Sequence, residues 1–363
     1  MILRTPRILI VTPEVSHLPQ AMSSLGGYLN AKAGGLGDVS AALIQALYEQ
    51  GADIHLAIPD YRTIFNHRLP PEKRRQLRTI LSQIPDERVH LAVDRSFFYR
   101  DRVYSAHPEE NLKMSIAFQR EVINNIVPRV KPDLIHCNDW TTGLIPAMAR
   151  KIGTPCLFTL HNLHTIRCTL RQIEDGGIDA AEFWEYLYYD TQPADYESAR
   201  DHILVNFLAS GIFGAHFINT VSTAFLSETA AGQHAFVEPA VRQEIAAKLQ
   251  SGCATGILNA PAPDYCPSAD TSLALRYGPR DHALGKRGNK MVLQDRLGLN
   301  RDGDAPLLFW PSRMDPVQKG CGLLMEILYA VVSEFWQENL QMVFVADGPD
   351  QRHVRDIVDF HGL

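Results

Sequence analysis

Short apolar, β-branched runs alternate with longer amphipathic stretches along most of this chain. The first run, Arg7-Ile8-Leu9-Ile10-Val11-Thr12, is too short for a helix and reads as a buried strand. Further strands are predicted over 53–59, 133–136, 156–160, 216–221 and 254–258, and helices over 39–48, 115–127, 144–152, 202–213 and 238–250. Strand followed by helix, repeated, is the pattern of a parallel sheet covered on both faces. Residues 88–105 alternate less cleanly and are assigned to an antiparallel edge. The segment 164–200 is irregular and aromatic. Its rings over 183–189, among them Trp184, Tyr186, Tyr188 and Tyr189, have a helical spacing that favours a buried face over a platform for glycans.

Pro261, Pro263, Pro267 and Gly278 punctuate a linker. Beyond it Leu307-Leu308-Phe309-Trp310 starts a new strand–helix series. Its helix carries Leu323, Leu324, Ile327, Leu328, Val331, Val332 and Phe335 on one face. The strand Gln341–Val345 and the turn Asp347-Gly348-Pro349-Asp350 follow. The expected organisation of the 363 residues is an α/β Rossmann-like domain with a parallel sheet over 1–259, a linker and opening helix over 260–303, and the start of a second Rossmann-like domain over 304–363. Two parallel strands make a poor sheet, so the second domain reads as incomplete.

Composition narrows the function. A net charge of −6 argues against a nucleic-acid partner and against an anionic membrane surface. No apolar run approaches the roughly 20 residues that cross a bilayer. Met1-Ile2-Leu3-Arg4-Thr5-Pro6-Arg7 leads into a strand without the apolar core of a signal peptide, so a cytoplasmic location is expected. Six scattered cysteines without a C-x-x-C pair read as reduced, mostly buried thiols. His161 and His164 lack the further ligands a zinc site needs, and no metal or cofactor is assigned.

The stretch richest in chemistry is Lys32-Ala33-Gly34-Gly35-Leu36-Gly37-Asp38-Val39. Gly34, Gly35 and Gly37 permit positive φ and close approach of a ligand to the backbone. Asp38 is read as the N-cap of the helix that follows, with Gly51 beyond its end. A helix N-terminus with a neighbouring lysine favours an anionic, phosphorylated ligand.

Several motifs, in order, resemble the glycogen synthase and starch synthase family of retaining glucosyltransferases with the two-domain GT-B fold. Lys32–Val39 is similar to that family's K-[TV]-G-G-L-G-D-V, and Glu14-Val15 to its S-x-E-V element. Ile135-His136-Cys137-Asn138-Asp139-Trp140 resembles H-x-H-D-W, with asparagine in place of the second histidine. Thr159-Leu160-His161-Asn162-Leu163 resembles T-x-H-N-L, and Asn219-Thr220-Val221-Ser222 and Gly256-Ile257-Leu258-Asn259 resemble T-V-S and G-I-L-N. Lys286, Asn289-Lys290 and Leu297-Gly298-Leu299 resemble the helix that opens the family's second domain. Ser312-Arg313 and Gln318-Lys319-Gly320 resemble its S-R-L-x-x-Q-K-G. The family's later glutamate motif has no counterpart here.

The resemblance implies glucosyl transfer from ADP-glucose, or UDP-glucose, to the non-reducing end of an α-1,4-glucan, with retention and without a metal. It implies a donor site built from Lys32, Gly34, Gly35, Gly37, Asn162, Asn259, Arg313 and Lys319, with His161 against the transferred glucose. Lys and Arg would neutralise the departing diphosphate. Asp139 stands at a strand end, where it either serves the sugar or caps the helix that begins near Thr141. Trp140 is read as packing.

Two alternatives stand beside this reading. A nicotinamide enzyme is disfavoured, because Ser40 replaces the third glycine of a G-x-G-x-x-G run that also lies far from the first strand. The other is a truncated, inactive relative that binds a glycan or nucleotide.

Overall fold

A computed structural model describes residues 5–67, 69–81, 86–261, 265–314, 319–346, 348 and 350–362. Met1 to Arg4, Pro263 of the linker, Gln318 of the Gln318-Lys319-Gly320 run, and Asp347 and Pro349 of the last turn lie outside these residues. The chain folds as two units, Met1–Ala260 and Pro261–Leu363.

In the first unit the elements run β1 (Arg7–Val11), α1 (Gly35–Glu49), β2 (Asp53–Pro59), α2 (Arg62–His67), α3 (Pro71–Leu81), β3 (Val89–Ala92), α4 (Arg95–Phe98), α5 (Pro108–Glu121), α6 (Val127–Val130) and β4 (Leu134–Asn138). They continue with α7 (Ile145–Lys151), β5 (Cys156–Leu160), β6 (Arg167–Thr169), α8 (Leu170–Asp175), α9 (Tyr196–Arg200), β7 (Leu204–Asn206), α10 (Phe207–Gly214), β8 (Phe217–Thr220), α11 (Thr223–Ala230), α12 (Pro239–Gln250) and β9 (Ala254–Gly256). Seven strands form one sheet in the order β3-β2-β1-β4-β5-β8-β9, every pair parallel. The order reverses between β1 and β4, which is the Rossmann-type switch point, and open sheets of this kind bind ligands beyond the strand ends there. The strands are buried from both sides, with Leu9, Ile10, Val11, Ile54, Leu56, Ile58, Ile135, Cys137, Phe158 and Ile218 inaccessible to solvent. That two-sided burial explains their continuous apolar runs.

Several expectations change. β3 is parallel to β2, not an antiparallel edge, because α2 and α3 carry the chain back across the sheet before it starts. The helix expected at 202–213 divides into β7, which pairs antiparallel with β6, and α10. The break falls at Asn206, whose side chain accepts the Ala209 N–H at 3.0 Å and caps α10. The aromatic segment is not an amphipathic α-helix. It forms two 3₁₀ turns, Ala180–Glu182 and Trp184–Tyr186, although Phe183, Leu187 and Tyr189 are buried as a core reading requires. Between α5 and α6 the chain opens into a π-turn, Val122–Ile126, immediately before Pro128, which has no N–H to give to the preceding turn.

The second unit contains α13 (His282–Leu297), β10 (Leu307–Trp310), α14 (Cys321–Glu334), β11 (Gln341–Phe344) and α15 (Gln351–His361). β10 and β11 pair in parallel with Leu307 opposite Gln341. Met314, Cys321, Leu328 and Val354 form its small core. The single buried stripe expected on α14 is not seen: Leu328 is buried, whereas Leu323, Ile327 and Phe335 are exposed. Among the described residues only β10 and β11 form the sheet that α14 lies against, and so narrow a sheet covers part of the stripe.

Candidate functional site

The site is assembled at the carboxyl ends of β1, β4 and β5. After β1, the Thr12 hydroxyl donates to the Glu14 carbonyl at 3.0 Å and lies 3.1 Å from the Ser40 hydroxyl on α1. Residues 16–31 then form a loop closed by an antiparallel bridge between Val15 and Ala31, filled by Leu18, Met22, Leu25 and Leu29. The closure returns Lys32 and the glycines to Glu14. The Glu14 carboxylate is 2% exposed, and its Oε2 accepts the N–H groups of Ala33 at 2.7 Å and Gly34 at 2.9 Å.

This geometry corrects the cap. α1 starts at Gly35 with Gly34 as N-cap, so Asp38 lies inside the first turn, and its carboxylate pairs with Lys32 Nζ at 2.6 Å. It also corrects the role of the glycines. Gly34 is extended (φ −151°), and neither Gly35 nor Gly37 has a positive φ. What Gly34 and Gly35 supply is room: a Cβ on either meets no atom within 4 Å. Gly37 instead lets α1 approach Glu14, since its Cβ would stand 3.4 Å from Oε2. The first N–H groups of a helix have no partner inside it. Glu14 takes that of the N-cap Gly34, along with the N–H of Ala33 before it, and among the described residues no acceptor takes those of Gly35 and Leu36. A bare wall, open amides and a lysine suit an anion.

At the end of β4, Asp139 is 1% exposed and adopts φ 57°, ψ 179°, a backbone conformation that normally belongs to glycine. Such strain costs about 1–3 kcal/mol and persists where the surroundings enforce it. Asp139 precedes the 3₁₀ turn Trp140–Thr142 but makes no side-chain cap there. Its carboxylate reaches across to the end of β5. Oδ1 accepts the N–H of His161 at 2.7 Å and of Asn162 at 3.3 Å, and Oδ2 accepts Asn162 Nδ2 at 2.7 Å. Burial pushes its carboxyl up to about 7, with the Glu14 charge adding and the N–H donors opposing. Asn162 Oδ1 accepts the His164 N–H at 2.9 Å, so both ends of that amide are held.

His161 Nε2 lies 3.0 Å from Asn138 Oδ1, and burial, then the neighbouring His136, pull the ring down to about 4. At neutral pH the imidazole is therefore uncharged. Beneath it, His136 Nε2 lies 2.6 Å from the Thr159 hydroxyl, which is 2.6 Å from Asn219 Oδ1. His164 does not join His161 but sits edge-on to Trp140, with ring centroids 5.2 Å apart. Among the described residues no group of three or more His, Cys, Asp or Glu is placed to hold a metal. Trp140 is 3% exposed and also packs near Tyr104.

Lys32, Gly34, Gly35, Gly37, Asp139, His161 and Asn162 thus gather around one switch point. Asn259 is exposed just past β9, whereas Arg313 and Lys319 belong to the second unit, both exposed, one after β10 and the other before α14. Three further residues emerge from the fold. Glu14 organises the glycine loop, Asn138 holds His161, and Tyr104 faces Glu14, whose charge together with burial pushes its phenol well up. Asn138 is the polar last residue of β4 and Glu14 follows β1 by three residues, both inside motifs the sequence singles out, but nothing near Tyr104 in sequence marks it.

Comparison with known proteins identifies the family. A family model described as the starch synthase catalytic domain matches residues 7–238. The glycogen synthase of Moorella thermoacetica is 29% identical over 367 residues, covering 95% of this chain and 67% of that protein. Glycogen synthase 2 of Geobacter metallireducens is 29% identical over 361 residues, covering 91% and 69%. The chain therefore spans about two thirds of the length of these relatives. The catalytic domain of starch synthase IV from Arabidopsis thaliana, solved with ADP and acarbose, shares the fold with a TM-score of 0.72 at 20% identity, covering 98% of this chain and 72% of that one. On the matched residues, this chain belongs to the starch synthase catalytic domain family.

Proposed function

We propose that this chain transfers glucose from ADP-glucose to the non-reducing end of an α-1,4-glucan with retention of anomeric configuration. The observation that carries the reading is the meeting, at one switch point, of an anion-binding helix terminus with a neutral histidine and its asparagine neighbour. The first supplies Lys32, the open amides of Gly35 and Leu36, and the bare wall at Gly34 and Gly35. The second presents His161 and Asn162 on a turn fixed by Asp139. In this reading the diphosphate rests on the helix terminus, where its growing negative charge is stabilised as the sugar departs. His161 and Asn162 contact the glucose. The family resemblance also assigns Asn259, Arg313 and Lys319 to donor binding. ADP-glucose is preferred to UDP-glucose on family resemblance and on the ADP bound to the starch synthase IV domain of Arabidopsis thaliana.

The test is incubation with radiolabelled ADP-glucose and glycogen, with UDP-glucose in a parallel arm. Label incorporated into glucan and released by an exo-α-glucanase supports the proposal. Nucleotide binding without incorporation would favour the inactive-relative reading, and absence of both would remove the donor site.

A further inference from the structure

The contacts around Asn138 determine the state of His161. Val11 and Cys137 are partners in the parallel β1–β4 register, which sets the Val11 carbonyl beside the next residue, Asn138. Asn138 is 4% exposed, and its Nδ2 donates to the Val11 carbonyl oxygen at 3.1 Å. A carbonyl oxygen only accepts, so the amide cannot be turned end for end without setting two acceptors against each other. Oδ1 must therefore face the imidazole, and it lies 3.0 Å from Nε2. Oδ1 is itself only an acceptor, which obliges Nε2 to carry a proton. A neutral ring with its proton on Nε2 has its lone pair on Nδ1.

We propose that Asn138 is a positioning residue that fixes His161 as the Nε2–H tautomer, leaving Nδ1 as a hydrogen-bond acceptor for a ligand hydroxyl. The consequence, which rests on the reading of this cleft as a sugar site, is selectivity. The group received by His161 must bring a proton, so a free hydroxyl is accepted and a carboxylate or an O-methyl ether at that position is not. The ring's low proton affinity, set chiefly by burial, keeps Nδ1 unprotonated at neutral pH.

The groups around the ring from each neighbouring element are consistent with this assignment. β1 contributes the Val11 carbonyl, and β4 contributes His136, Asn138 and, just beyond its end, Asp139. β5 contributes Thr159, and β8 contributes Asn219, which takes the Thr159 hydroxyl proton. With that proton committed, His136 donates from Nε2 to Thr159 and carries no charge toward His161.

The experiment is long-range ¹H–¹⁵N correlation on the chain labelled with ¹⁵N-histidine at pH 7, without ligand, with His161→Gln used to assign the signals. The expected spectrum shows His161 Nε2 as pyrrole-like and Nδ1 as pyridine-like. Asn138→Leu, close in shape but with no acceptor, should give averaged shifts from both tautomers. Asn138→Asp should restore the pyrrole-like Nε2 and raise the pH at which the ring takes up a second proton. A wild-type ring protonated on Nδ1, or a wild-type spectrum unchanged in Asn138→Leu, overturns the proposal. Circular dichroism of each variant identifies any that fails to fold, in which case the wild-type spectrum alone decides. No substrate is needed, so a failure of the proposed glucosyl transfer leaves this test standing.

Discussion

Replacing Asp139 by asparagine exposes the electrostatics of the site in one measurement. The carboxyl is 1% exposed, and its proton affinity rises from an ordinary value of 3.8 to about 7, chiefly through burial. Below pH 4 both the folded and the unfolded chain carry the proton, and the group contributes nothing to pH dependence. Between pH 4 and 7 the unfolded chain has released it while the folded chain retains it. Stability from this group therefore falls as pH rises, and the full loss is present above pH 7. A shift of about 3 units corresponds to about 4 kcal/mol, of which about 3 kcal/mol falls between pH 5 and pH 8. Asparagine does not titrate, so Asp139→Asn lacks this step. It has its own penalty at every pH, because a single amide oxygen replaces two oxygens that serve three N–H donors. An unpaired buried donor costs about 1–3 kcal/mol. The wild type should be the more stable at pH 5, and the gap should close or reverse by pH 8. Urea unfolding followed by tryptophan fluorescence at both pH values measures it, and taking the difference between the two proteins cancels every other titrating group. A difference that does not change with pH would refute the reasoning.

Three further outcomes follow from the geometry. Gly35→Ala places its Cβ in open space, so the melting temperature should stay unchanged while calorimetric affinity for ADP-glucose falls as the methyl fills the anion cradle. Lys32→Ala removes an ion pair whose side chains are 37% and 41% exposed, so stability should move by less than about 1 kcal/mol. Affinity for the donor should nevertheless drop roughly tenfold or more, the value of a charge-assisted phosphate contact of about 1.5–3 kcal/mol. Gly143→Ala should be insoluble or strongly destabilised in expression and thermal melts, because its Cβ would stand 2.0 Å from the Phe207 carbonyl oxygen, backbone against backbone.

The parallel sheet was legible in the sequence because its central strands are buried on both faces and therefore read as largely apolar runs. Helix starts were harder to place. α5 begins at Pro108 with Glu109 and Glu110 in its first turn, a start marked by capping chemistry and not by the apolar period. The run from Ile203 to Leu208 is apolar except for Asn206, and only that cap separates strand from helix within it. At the site, the residues after each strand were visible as polar interruptions, but their partners were not. Asp139 serves a turn on the next strand, Glu14 occupies amides that a helix terminus would otherwise leave open, and Asp38 pairs with Lys32 instead of capping. Such roles depend on strand order, which brings β1, β4 and β5 side by side although their residues are far apart in the chain.

The most direct test of the account is a crystal of this protein soaked with ADP-glucose. The account predicts diphosphate density within hydrogen-bond distance of the Gly35 and Leu36 amides and of Lys32 Nζ, with the glucose against His161 and Asn162. Density for the intact donor bound away from the start of α1, out of reach of those amides, would contradict it.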